Sequence, residues 1–171
     1  MDATSSGGQT LLMNWTFIRR YLVFLFFALW WGGFTFYSVV VVHTGHKVLK
    51  SKVRQGFITQ KVTLQLNALG VITLGCMAGE LAMARRGSGW KLAASTWIIM
   101  TISLAALYLL HGRMDELLDA EPRAITDDAS FYHLHAVYLT VSTVQWITAM
   151  YFGGWMLRVW SSDSRPRSEW E

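Results

Sequence analysis

The sequence predicts an all-α integral membrane protein whose fold is an antiparallel four-helix transmembrane bundle. Three observations favour this fold class. Hydrophobic residues make up 53% of the chain and charged residues only 15%, where a water-soluble domain has roughly a quarter of its residues charged. Long apolar segments recur along the chain, and the second and third are joined by a very short link. A length of 171 residues leaves room for about one domain.

Four segments are long and apolar enough to cross a bilayer, which takes about 20 residues because the hydrocarbon layer is about 30 Å thick. They cover residues 21–42, 62–84, 92–110 and 131–157. Barrel strands would alternate polar and apolar residues, and these segments do not, so helices are expected. We therefore predict a cytoplasmic N-terminal tail at 1–20, a transmembrane domain at 21–157 and a disordered tail at 158–171. Neither Pro122 nor Pro166 interrupts a span, which predicts largely unkinked helices.

The links between the predicted spans differ in length. Residues 85–91 (RRGSGWK) form a tight Gly/Ser turn that makes the second and third spans antiparallel neighbours. Residues 43–61 and 111–130 are longer and lie together on the opposite side. We expect the third helix to continue beyond the lipid until Pro122 ends it.

The basic residues bear on both orientation and partners. Arg19 and Arg20 precede the first span and Arg85 and Arg86 lie in the short turn, so the positive-inside bias predicts both termini in the cytoplasm. The basic segment 47–61 argues for the opposite orientation. The net charge is +4, but the basic residues border apolar runs, which favours membrane lipids as partners over nucleic acid.

All five histidines are predicted to lie on the side of the long links. His43 and His46 follow the first span, His111 follows the third, and His133 and His135 open the fourth. Imidazole is a common ligand for haem iron and transition metals, and helical bundles build such sites from facing helices. Residues two apart on a helix point about 200° apart, so we expect His135 to face the bundle and His133 to face outward.

Two interpretations of this cluster remain open. In the first, which we expect, the histidines are polar groups at the membrane interface that bind each other, Asp115 or lipid headgroups, and no cofactor is present. In the second, His43, His111 and His135 hold haem b, or these three together with His46 hold a transition metal. Neither an HExxH nor a CxxCH motif is present.

The second span carries two further features. Glu80 is the acid placed within a span, where a charge is costly, and we expect it to pair with Arg85 or to reach the interface. Gly75 and Gly79 form a GxxxG pattern, which predicts close approach of another helix of this chain or, alternatively, of a second copy. Gln65, Asn67 and Gln145 are polar groups suited to interhelical hydrogen bonds, as the sequence places all three within spans.

Three short motifs stand at the ends of the predicted spans. Trp31 and Gly32 precede an aromatic and Val-rich half-span, residues 113–117 (RMDEL) follow the third span, and residues 131–135 (FYHLH) open the fourth. In this order the motifs resemble those of the transmembrane protein 205-like family. The resemblance covers about residues 25–155 and carries over His135, although Ala136 stands where the family usually has Gly. It implies a four-helix protein of the bacterial inner membrane without established catalysis. A more distant likeness to copper-resistance D-type membrane domains implies a metal role by analogy.

These observations predict a non-enzymatic multi-pass membrane protein that acts as a small subunit or a stress-related membrane factor. The candidate partners are other membrane subunits or further copies of this chain in a homo-oligomer. The alternative is a membrane protein that binds a metal or haem b through its histidines at the exoplasmic face. A transporter or membrane enzyme ranks last, because one intramembrane carboxylate and no broken helix provide little to bind a substrate.

Overall fold

The computed structural model describes residues 5–84, 89–119 and 124–163, and these are helical except at two short turns and one small hairpin. The helices are α1 (Ser5–Phe36), α2 (Val42–Leu49), α3 (Lys52–Met83), α4 (Trp90–Asp115) and α5 (Asp128–Asp163), with a π-helical turn at Tyr37–Val41 between α1 and α2. The hairpin pairs β1 (Leu118–Asp119) with β2 (Ala124–Ile125) in antiparallel register. The predicted all-α character of the chain is confirmed.

Three helical stretches of the described chain are long and apolar enough to cross a membrane: Asn14–Leu49, Arg54–Met83 and Trp90–Asp115. The fourth long helix, α5, has 36 residues but is not among them. Gln145 and a series of threonines and serines reduce its hydropathy. The fourth membrane crossing at 131–157 therefore stays a prediction.

Side-chain hydrogen bonds connect α3 to the long helices before and after it in the chain. The Thr73 hydroxyl of α3 donates to the Phe26 carbonyl of α1 at 3.2 Å. The Trp97 indole N–H of α4 donates to the Leu74 carbonyl of α3 at 3.0 Å. These bonds tie α3 to both of its neighbours.

One buried apolar cluster lies between all four long helices. Met77, Met100, Ala149 and Phe152 are fully buried there. Large apolar side chains are also exposed on the outside of the same helices, including Ile102 at 64% and Leu109 at 74%. A water-soluble monomer rarely exposes apolar groups on this scale.

The helices extend further at the chain ends than the sequence predicts. Helix α1 already begins at Ser5, and α5 continues to Asp163, so the prediction of a disordered tail from residue 158 is wrong for residues 158–163. Arg20 of α1 pairs with Asp163, and this contact holds the last turn of α5 against the bundle. Residues 164–171 lie outside the described part of the chain.

The prediction that the third helix continues to Pro122 is also wrong. Helix α4 ends at Asp115, and backbone pairing then replaces the helical bonds. Leu118 pairs with Ile125, and the Thr126 N–H donates to the Leu117 carbonyl at 3.0 Å. Pro122 itself lies outside the described residues.

The link between the first two predicted spans is mostly helical. The chain leaves α2 through Lys50, whose backbone adopts a left-handed conformation with φ of 48°. Ser51 then caps α3, because its side-chain oxygen accepts from the Arg54 N–H at 3.4 Å. The first span is not regular either, since the π-helical turn at Tyr37–Val41 interrupts its α-helical hydrogen bonding.

Candidate functional site

His111 is the buried histidine among the five, and it lies beside the carboxylate of Asp115, which also binds the Gln60 amide. It is 8% exposed, and its Nε2 lies 3.5 Å from Oδ2 of Asp115, one turn further along α4. The Gln60 amide of α3 donates to Oδ1 of the same carboxylate at 2.7 Å. Asp115 thus connects His111 to a neighbouring helix, which agrees with a structural role for this imidazole.

The two histidines at the start of α5 differ in burial. His133 is exposed and His135 is half-buried, which is the expected difference for residues about 200° apart on a helix. The His135 ring stacks on Phe131 with centroids 6.3 Å apart and an interplanar angle of 4°.

The histidines of α2 face outward. His43 and His46 are both exposed, and Nδ1 of His46 lies 3.0 Å from the Val42 carbonyl of its own helix. Within the part of the chain that the structure describes, no group of three or more His, Cys, Asp or Glu side chains is arranged to hold a metal ion. His111 contacts Asp115, His46 contacts its own helix and His135 contacts Phe131, so these three histidines have different partners.

Glu80 is the centre of a second polar group at the opposite end of the bundle. It is 6% exposed, and its Oε1 lies 3.2 Å from Nε of Arg19 on α1, although the angle is not that of a hydrogen bond. The Trp160 indole N–H of α5 donates to Oε2 at 3.2 Å. A buried carboxylate is thereby neutralised by one helix and hydrogen-bonded by another, which offsets its desolvation.

An arginine of another helix pairs with Glu80: Arg19 approaches the carboxylate from α1. The predicted pairing with Arg85 lies outside the described residues. Because Arg19 precedes the first span and Glu80 ends the second, both occupy the same end of the bundle. That shared depth was the signal in the sequence for this pair.

Polar side chains in the middle of the bundle join the helices. The Asn67 amide donates to the Tyr138 hydroxyl at 3.3 Å, and the Gln145 amide donates to the Met100 carbonyl at 3.4 Å. Both bonds fit the interhelical role that the sequence predicts for these amides. Gln65, by contrast, is exposed, so that prediction is wrong for this residue.

The prediction of close helix approach within this chain at Gly75 and Gly79 is wrong. A Cβ at either position would meet nothing within 4 Å, because both glycines turn away from the neighbouring helices. The close approaches occur elsewhere: a Cβ at Gly70 would lie 2.8 Å from Trp30 Nε1, and one at Gly153 would lie 2.9 Å from Phe27 Cζ. At both places an aromatic side chain of α1 packs against the glycine.

Comparisons with known proteins assign no family: no family model, curated protein or solved structure matches this chain.

Proposed function

We propose that this chain is a non-enzymatic membrane protein that crosses a bacterial inner membrane four times as an antiparallel helical bundle, with both termini in the cytoplasm. In this proposal it acts as a small subunit or stress-related factor of the membrane. The four-span arrangement is the one that the resemblance to the transmembrane protein 205-like family implies.

The observation that carries the proposal is how the buried polar side chains are used. Asn67, Gln145 and Glu80 each bond to a different helix, and His111 is held by Asp115. The contacts of Asn67, Gln145 and Glu80 are interhelical, of the kind that stabilises membrane bundles, whereas the His111 contact lies within α4. These polar side chains are thus used for contacts inside the protein. Apolar side chains such as Leu109 and Ile102 face outward, as expected for a helix surface in contact with lipid.

The placement of α5 supports a fourth crossing although its hydropathy is lower. Gln145 and Ser142 are buried against other helices, so two of the polar groups that reduce its hydropathy do not face the surroundings. Outward positions such as Leu139, Ile147 and Leu157 are apolar. A helix that hides its polar groups in a bundle can cross a bilayer with a moderate mean hydropathy.

Topology reporters test the four crossings. A reporter fused after Glu171 and one inserted near Ala120 should report opposite sides, with the C-terminus cytoplasmic, and an insertion at residue 87 should agree with the C-terminal fusion. Reporters at 120 and 171 on the same side would reject the fourth crossing. An exported C-terminus with a cytoplasmic Ala120 would invert the orientation.

The proposal that this protein binds no cofactor can be tested separately. Protein purified in a mild nonionic detergent should show no Soret band and less than stoichiometric metal by elemental analysis. A Soret band would instead assign haem to the histidine end, and one tightly bound transition metal per chain would assign a metal carrier. Either result would overturn the proposal for this end of the bundle.

A further inference from the structure

An open cleft of about 1550 Å³ lies at the Glu80 end of the bundle, between α1, the end of α3, the start of α4 and the second half of α5. Small-molecule sites usually enclose about 300–1,000 Å³. The cleft is therefore better suited to a large ligand than to a small metabolite.

Along α5, the lining of the cleft has an apolar part that is followed by a charged part. Ile147, Met150, Tyr151 and Gly154 line it at the spacing of one helix face, and Arg158 follows on the same face one turn later. Eleven residues at 1.5 Å each place Arg158 about 16 Å beyond Ile147. Half of a 30 Å hydrocarbon layer is about 15 Å, so this face matches the depth of one lipid leaflet.

The charged part of the cleft is positive on balance. Its lining includes three arginines, Arg19, Arg20 and Arg158, and two acids, Glu80 and Asp163. Arg19 and Arg20 pair with the two acids. Arg158 is in none of the ion pairs found among the described residues. The cleft therefore favours an anionic group near Arg158.

Arg20, which lines the same cleft as Arg158, is held in position by its contacts. Its guanidinium lies over the Trp160 ring at 5.7 Å from the centroid, and its buried Nε has no hydrogen-bond partner in the described structure. Trp160 in turn donates to Glu80. A guanidinium that is already ordered binds a phosphate with a smaller loss of entropy, and its planar fork matches phosphate oxygens.

We propose that this cleft binds one anionic phospholipid of the leaflet on the side of the chain termini. The phosphate lies at Arg158 and Arg20, and an acyl chain follows the apolar face from Gly154 to Ile147. Basic pockets between transmembrane helices are known to hold anionic headgroups. The inference rests on the membrane placement proposed above, and the continuous apolar face favours a lipid over a soluble phosphate.

Lipid titration of the full-length protein tests the site. In nonionic detergent, native mass spectrometry should show phosphatidylglycerol binding at least about tenfold more tightly than phosphatidylcholine of the same acyl chains. Arg158→Gln should weaken phosphatidylglycerol binding about fivefold. The matched control is Arg113→Gln, which removes the same charge from an exposed arginine at the other end and should leave binding unchanged.

A second variant blocks the apolar part without touching a charge. A Cβ at Gly154 would meet nothing within 4 Å, so Gly154→Leu can fold and place its side chain in the cleft. It should weaken the binding of phosphatidylglycerol at least about threefold. Gly75→Leu is the control, because Gly75 is equally open but lies outside the cleft.

Three outcomes would overturn the site. They are equal binding of the two lipids, equal effects of Arg158→Gln and Arg113→Gln, and displacement of the lipid by millimolar glycerol phosphate, which would identify a soluble-anion site. The topology reporters keep the two proposals apart. Opposite-side reporters with no preference for phosphatidylglycerol would reject the lipid site alone, whereas same-side reporters would reject the four-span placement whatever the titration shows.

Discussion

The two ends of the bundle hold their charged side chains in different ways. At the Glu80 end, the contacts cross between helices that are far apart in sequence: Arg19 pairs with Glu80, and Arg20 pairs with Asp163. At the histidine end, several contacts stay within one helix. His111 faces Asp115 one turn away, and His46 bonds to the Val42 carbonyl of its own helix.

This difference indicates which end fixes the packing of the helices. A contact within a helix stabilises that helix but does not orient it against another one. A buried ion pair between helices is strongly destabilising to break and sets their relative rotation. The ion pairs at the Glu80 end therefore orient α1, α3 and α5 against one another, whereas the histidine end is joined to α3 by the uncharged donors of Gln60 and Tyr37, which bond to Asp115 and Thr59.

The largest effect is expected for Arg19→Gln. The substitution leaves the buried Glu80 carboxylate without its cation and should lower the free energy of unfolding by about 3 kcal/mol, measured in detergent by thermal or denaturant unfolding. The double variant with Glu80→Gln should recover part of the loss, because no charge is then buried.

Arg113→Gln provides the comparison for that experiment. Arg113 pairs with Glu116 at 3.6 Å on an exposed helix surface, where such pairs contribute at most about 1 kcal/mol. If both single variants changed stability equally, the contrast between the two ends would be lost.

An intermediate effect is expected for His111→Ala. The buried imidazole is removed and Asp115 keeps only its Gln60 bond among the contacts described here, so the expected loss of stability is about 1–2 kcal/mol. His133→Ala, at an exposed position, should stay within about 0.5 kcal/mol. Equal losses in the two variants would mean that burial does not decide the role of the histidines.

The smallest effect concerns Asp127, which caps α5 at the histidine end. Its pKa is below the ordinary 3.8, because the Ser130 side chain and the backbone N–H groups of Ser130 and Ala129 hydrogen-bond to the carboxylate. A group with a lowered folded pKa stabilises the protein above its unfolded pKa, and this contribution is lost as the pH falls through the folded value.

Asp127→Asn keeps the cap but removes the charge. The wild type should melt about 1 °C higher than this variant at pH 6, and the difference should be smaller at an acidic pH below the ordinary carboxyl pKa of 3.8. A difference in Tm that is the same at both pH values would show that the charge of Asp127 does not contribute.

The sequence predicts the end of a helix well where a long apolar segment ends. The predicted second span ends at residue 84 and α3 ends at Met83, because the charged residues that follow mark the edge of the apolar segment. The end of α4 at Asp115 was not predictable in the same way. Hairpin pairing between Leu118 and Ile125 depends on two segments that meet in space, and no local sequence pattern predicts it.

The candidate sites also depend on contacts between distant segments, which the local sequence does not predict. Residue type and position along the spans place Glu80 at one end of the bundle and the histidines at the other, but their partners depend on helix rotation, which the sequence pattern leaves undetermined. Arg19 and Trp160 both lie close to the ends of predicted spans. That they converge on one carboxylate follows from the packing of three helices.

The π-helical turn at Tyr37–Val41 changes how the first long helix can be aligned with other sequences. Such a turn takes in one residue more than an α-helical turn, and each residue of an α-helix accounts for about 100° of rotation. A homologue that lacks one residue between 37 and 41 can therefore keep Trp30 and His46 on the same faces as here. A gap of one residue inside this hydrophobic segment should accordingly be accepted in an alignment, and not removed as an error.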